Sequence, residues 1–82
     1  MAKTFQVGIY APDKIIYQGQ AISLIVPSAL GSLGVLADHA PLVARLLSGK
    51  ITIRTPEGAL RVIDSLAGGF LQVLQNQATL LL

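Results

Sequence analysis

Turn-forming residues recur about every five to ten positions along this chain, and that spacing leaves no room for a long helix. Pro12-Asp13, Gln18-Gly19, Pro27-Ser28, Ser48-Gly49, Pro56-Glu57-Gly58, Gly68-Gly69 and Asn76 punctuate it from end to end. Between them, apolar and polar residues alternate with the period of two that marks a half-buried strand. Phe5, Val7 and Ile9 fall on one side of the first segment, and Lys50-Ile51-Thr52-Ile53-Arg54 shows the cleanest alternation. No segment sustains a 3.6-residue period between caps. The pattern predicts an all-β chain of about nine or ten short strands, closed as a sandwich or barrel.

Taken in order, residues 4–10 read as the first strand and Ala11-Pro12-Asp13 as a turn. A short strand over 14–17 closes at Gln18-Gly19. The next, 21–26, carries Ile22, Leu24 and Val26 on one face. Its other face, Ala21, Ser23 and Ile25, is apolar enough to be covered as well. In Gly31-Ser32-Leu33-Gly34 the two glycines suggest a tight turn or bulge. Pro41 removes a donor and pushes Ala40 towards extended backbone, so Asp38-His39-Ala40-Pro41 reads as a sharp corner. Residues 42–46 form a strand, 50–54 and 59–64 a hairpin around Thr55-Pro56-Glu57-Gly58. A last hairpin, 70–74 and 78–82 around Gln75-Asn76-Gln77, sends Leu71, Val73, Leu80 and Leu82 inward.

No repeat, linker or low-complexity tract divides the chain, so residues 1–82 read as one domain. It contains no cysteine, hence neither a disulfide framework nor a thiolate metal site, and a reducing cytoplasmic setting fits best. Residues 1–6, Met1-Ala2-Lys3-Thr4-Phe5-Gln6, lack the apolar stretch of a signal peptide. No run approaches 18 uninterrupted apolar residues, which argues against a membrane-spanning helix. The chain is 52% hydrophobic and 12% charged. So short a domain cannot hide that many aliphatics in one core, and some are expected to form a contact surface. The net charge of +2 comes from cations scattered along the sequence without aromatic partners, which is not a nucleic-acid footprint.

Groups for catalysis are sparse. His39 is the single histidine, so a two-histidine metal site is impossible, and Asp13, Asp38, Glu57 and Asp64 show no spacing that would pair them. Ser28, Ser32, His39 and Asp64 can be written as a nucleophilic triad, but a chain of this size offers such a set by chance. The glycine segment lacks the lysine and following helix of a phosphate loop. His39 reads first as a corner residue bonded to local backbone, with partner contact as a compatible second role.

The most specific stretch is Gly31-Ser32-Leu33-Gly34-Val35-Leu36 followed by His39-Ala40-Pro41-Leu42. Together with Ile16-Tyr17-Gln18-Gly19, Ser48-Gly49-Lys50-Ile51 and Gly68-Gly69-Phe70-Leu71-Gln72-Val73, in this order and spacing, it resembles the N-terminal β-sandwich domain of the epsilon subunit of F-type ATP synthase. The resemblance runs from Phe5 to Leu82. It implies a flattened sandwich of two roughly five-stranded sheets and a non-catalytic place in the central stalk, with no cofactor. It further implies contact with the gamma subunit at Ala11, His39, Leu42 and Ala44, and with the c-ring at Leu30, Gly31 and Ser32. Such a subunit is peripheral to the membrane, on its cytoplasmic face or the equivalent organelle side, and couples ion translocation to ATP synthesis.

Two departures stand out. Ser32 occupies a position where many relatives carry glutamate, so a salt bridge from it to the ring is not expected. Family members usually continue into two C-terminal helices that regulate hydrolysis, some binding ATP, whereas this sequence stops at Leu80-Leu81-Leu82, and no helical domain is expected within it. The alternatives are an unrelated small β-sandwich that binds a ligand and, more remotely, a small sandwich enzyme. A ligand module calls for polar groups converging on an apolar pocket, a stalk subunit for a flat apolar patch.

Overall fold

Alternation of this kind buries one face of each strand, and the computed structural model shows how the buried faces meet. It describes residues 3–82; Met1 and Ala2, where the single-domain reading begins, lie outside it. Nine strands run through the described residues: β1 Phe5–Ala11, β2 Lys14–Ala21, β3 Ser23–Ser28, β4 Gly31–Leu36, β5 Leu42–Leu46, β6 Gly49–Arg54, β7 Leu60–Ser65, β8 Gly69–Leu74 and β9 Gln77–Leu81. They pair as β2-β1-β9-β8-β5 and β4-β3-β6-β7, a five-stranded and a four-stranded layer. All pairs are antiparallel except β1 with β9, which runs parallel from Gln6 opposite Gln77 to Tyr10 opposite Leu81.

The layers are joined through β3. One edge of β3 pairs with β4 along its length, while the other pairs with β6 at Ser23–Ile25 and then with β5, where Ser28 faces Leu46. The N–H of Ala29 donates to the Arg45 carbonyl at 3.0 Å, and that of Leu47 to the Pro27 carbonyl at 2.8 Å. The nine strands therefore form one curled sheet folded onto itself, and the expected all-β sandwich is what the chain adopts. Ile9, Leu24, Ile51, Ile53, Leu71 and Leu80 are wholly enclosed between the layers. Each contributes about 1.5–3 kcal/mol relative to an exposed side chain. Phe5, Val7 and Ile9 are all buried, as their alternation predicts.

Two local expectations fail and a third holds in part. Gln18-Gly19 does not end a strand: β2 continues to Ala21, with Gln18 opposite Gly8 and Gly19 opposite Val7. The Tyr17 side chain lies over Gly19, its hydroxyl oxygen 3.0 Å from where a Cβ would stand. The break comes instead at Ile22, whose N–H donates to the Arg54 carbonyl at 2.8 Å. Gly34 is neither turn nor bulge, but pairs with Ile25 inside β4 with open space beside it. The second face of the 21–26 segment is covered only in part: Ala21 is buried and Ser23 half-buried, but Ile25 is exposed.

The turns are braced from within. Ser28, Thr55 and Ser65 are the buried polar residues among those described, and each hydroxyl bonds a turn. Ser28 Oγ donates to the Gly31 carbonyl at 2.6 Å, Ser65 Oγ to the Gly68 carbonyl at 3.2 Å, and Thr55 Oγ1 accepts the Ala59 N–H at 3.1 Å. Among the described residues, no buried side-chain nitrogen or oxygen lacks a partner. Each hydroxyl is thereby spared the cost of burial without a hydrogen bond.

Candidate functional site

Because successive strands run back and forth, their connections gather at two ends. The turns at 12–13, 29–30, 47–48 and 66–68 share the end that carries Leu30; residues 37–41, 55–59 and 75–76 share the opposite end, which carries Asn76. Functional positions can therefore be sorted by end and by face.

Leu30, Gly31 and Ser32 form the tip and outgoing arm of the β3–β4 hairpin, and all three are exposed. Leu30 is 101% accessible. Gly31 has φ +116, a backbone conformation that a side chain disfavours, so here glycine does serve the turn. Ser28 fixes the loop, donating to Gly31 and accepting the Leu30 N–H at 3.2 Å. Leu47 and Leu66 are exposed at the same end. An uncharged hairpin tip beside two further exposed leucines suits contact with another protein surface, not chemistry.

Leu42 and Ala44 lie on the inward side of β5, half-buried, and Leu42 packs against the core. Val43 between them points outward and is 73% exposed. Together with Leu30, Ser32 and Leu33, Leu42 and Ala44 line an open groove between the β3–β4 hairpin and β5. Sheet topology explains the groove. β4 pairs only with β3, and β5 pairs with β8 and, only at its end around Leu46, with β3, so the sandwich gapes between these two edges.

Ala11 and His39 lie outside that groove. Ala11 is half-buried near the Leu30 end, next to the turn at 12–13. His39 is half-buried at the opposite end, where its Nδ1 lies 2.7 Å from the Ala40 carbonyl oxygen. That is the local backbone bond expected of a corner histidine, with Nδ1 as donor. The four positions Ala11, His39, Leu42 and Ala44 thus span the five-stranded layer from end to end instead of clustering.

The sequence reading did not locate one exposed apolar surface. On the outer face of the five-stranded layer, Ile15 lies opposite Tyr10, Tyr10 beside Leu81, Leu81 opposite Phe70, and Phe70 opposite Arg45. Ile15, Phe70, Leu81 and Val43 are all exposed, Phe70 at 57%. No carboxylate occurs in the five strands of this layer, and Lys14 and Arg45 are their charged residues. The available signal was large apolar residues at positions where alternation predicts polar ones. It pointed to a contact surface in general, but the strand pairing was needed to gather the residues on one face.

The hypothetical triad is not assembled. Ser28 braces a turn at the Leu30 end, His39 sits at the other, and Asp64 is paired with Lys50 at 3.0 Å. Asp38 takes Lys3 at 3.0 Å. Both ion pairs are exposed, and such pairs contribute little to stability. Among the described residues, no three His, Cys, Asp or Glu side chains come together as a metal site, and no helix is long and apolar enough to cross a membrane.

Comparison with known proteins gives the arrangement a context. The family model described as the β-sandwich domain of the ATP synthase delta/epsilon chain matches residues 4–82. The ATP synthase epsilon chain of Leptospira interrogans is 42% identical over 80 residues, covering 98% of this chain and 61% of that one. This chain therefore spans somewhat less than two thirds of that relative. A chain in the Euglena gracilis mitochondrial ATP synthase structure of OSCP, F1 and c-ring superposes with a TM-score of 0.85 at 22% identity, over 92% of this chain and 48% of its own. One in the central stalk and c-ring structure of the Tetrahymena thermophila mitochondrial ATP synthase gives 0.78 at 16% identity, over 98% and 63%. At those identities the two structures speak for a shared fold.

Proposed function

This chain belongs to the family of ATP synthase delta/epsilon β-sandwich domains, and on that premise we propose that it is a non-catalytic rotor element that anchors the gamma subunit to the c-ring. The observation that carries the proposal is the carboxylate-free apolar flank formed by Val43, Phe70 and Leu81, exposed on one face of a rigid sandwich. Removing such a flank from water against a partner is favourable by about 25 cal/mol for each Å² of apolar area. Gamma takes this outer flank with Ala11 and His39 towards its two ends; Leu42 and Ala44, which face inward on β5, meet it only along the open groove. The c-ring takes Leu30, Gly31 and Ser32 at the exposed hairpin tip. The two surfaces meet at the groove that Leu30, Ser32, Leu42 and Ala44 share.

In this reading the protein is peripheral, held at the membrane face by its partners, and couples ion translocation to ATP synthesis mechanically. Neither contact requires a bound cofactor. A small ligand is a poorer occupant of the groove, because the groove is open and the Arg45 guanidinium is the one charged group on its rim.

The test is a pull-down and binding titration of the 82-residue chain with gamma from the same organism. A stoichiometric complex in the micromolar range or tighter is expected. No complex at tens of micromolar gamma would overturn the assignment.

A further inference from the structure

The corner at residues 37–41 carries the chain from the four-stranded layer to the five-stranded one, and it has little backbone support of its own. Pro41 has no N–H to offer. Asp38 has φ +62, an uncommon conformation for a residue with a side chain. The hydrogen bond that ties the corner's backbone to a distant segment comes from a side chain: Asn76 Oδ1 accepts the Asp38 N–H at 2.8 Å. The same carboxamide donates through Nδ2 to the Thr4 carbonyl at 2.9 Å, and the Asn76 carbonyl accepts the Gln6 N–H at 3.1 Å.

We propose that Asn76 is the positioning residue for the corner that presents His39 to gamma. Asparagine at this place has an ordinary explanation, since Gln75 and Asn76 have φ of 50 and 61, the geometry of a tight hairpin turn that asparagine tolerates. That explanation covers the backbone of Asn76 but neither of its side-chain bonds. The carboxamide bridges two segments that the turn does not need, one 38 and one 72 residues away. Its planar geometry also fixes the two together, because the acceptor and the donor belong to one rigid group. Lys3 closes over the same corner through the Asp38 carboxylate, at an exposed site where the pair is weak. Asn76 therefore holds the corner, and Lys3 adds little.

The proposal rests on the reading that His39 faces gamma, and the experiment separates the two. Asn76→Gly keeps the positive φ accessible and removes both side-chain bonds; Asn76→Asp keeps an acceptor for the Asp38 N–H and loses the donor to Thr4. In the intact 82-residue chain, amide exchange at Asp38 should accelerate about fivefold or more in Asn76→Gly, the equivalent of one lost hydrogen bond, and less in Asn76→Asp. The Kd for gamma should rise several-fold in Asn76→Gly, while the unfolding midpoint falls by about 4–8 °C for each lost side-chain bond and the domain stays folded. Unchanged exchange at Asp38 overturns the positioning role, as does faster exchange with unaltered gamma affinity when His39→Ala weakens binding. If His39→Ala leaves gamma affinity intact while Asp38 exchange responds to Asn76→Gly, the contact at His39 is what fails, and Asn76 still holds the corner.

Discussion

Gly68 lies directly against the backbone carbonyl of Leu46, so close that a Cβ at this position would overlap the oxygen. Gly68 also has φ +75. The contact locks the turn at 66–68 onto the end of β5 at the Leu30 end of the molecule. Strain and overlap act together here, and the obstructing atom is backbone that cannot swing aside. Gly68→Ala is therefore expected to cost about 2–4 kcal/mol, read as a lowered urea midpoint with unchanged m-value. Gly34→Ala is the control: it meets open space within β4 and should be neutral or stabilising by about 0.4–1 kcal/mol.

Adjacent residues on β5 should separate interface from core. Val43→Asp places a carboxylate on an exposed position, so the isolated domain should keep its stability within about 0.5 kcal/mol. Its gamma affinity should fall by a few kcal/mol, because the charge would be buried unpaired in the complex. Leu42→Asp should instead destabilise the domain itself, since Leu42 packs against the core. Thermal melts and gamma titrations on the two variants check this; equal effects on folding would refute the assignment of faces.

Gly31→Val is expected to cost about 1–2 kcal/mol through backbone conformation alone, because φ is +116 and no atom lies within 4 Å of a Cβ there. If the hairpin tip meets the c-ring, membranes carrying this variant should hydrolyse ATP at normal rates while proton pumping falls. Dye-quenching measurements beside ATPase assays read both. Normal pumping would remove this turn from the ring contact.

The 82-residue chain should neither bind ATP at micromolar concentration nor inhibit hydrolysis. Gly31-Ser32-Leu33-Gly34 lies within strand β4 and does not open a helix, so no helix N-terminus stands behind it to receive a phosphate. Calorimetry with ATP, and steady-state ATPase rates after adding the chain to a cognate complex lacking its own epsilon, test this. Heat of binding in the micromolar range, or a large drop in rate, would place a regulatory function in the sandwich.

The sequence by itself determined what is local. Period-two alternation located the strands, and β5 emerged with the bounds expected for it. Pro12-Asp13, Pro56-Glu57-Gly58 and Gln75-Asn76 each carry turn chemistry that acts within four residues, and each is a turn. The resemblance carried by the segment from Gly31 to Leu42 identified the family. Where glycine had two uses, the local signal could not choose between them. At Gly19 and Gly34 it sits in extended strand, at Gly19 beneath the Tyr17 side chain and at Gly34 beside open space.

Tertiary structure decided the rest. The parallel pairing of β1 with β9 joins segments about 70 residues apart, and β3 divides one edge between β6 and β5; nothing within either segment specifies its partner. The same holds for the faces of β5. Alternation says that Leu42 and Val43 point opposite ways, but a period of two has two equivalent phases. Only the packing of one layer on the other fixes the phase, turning Leu42 towards the core and leaving Val43 exposed on the outer face.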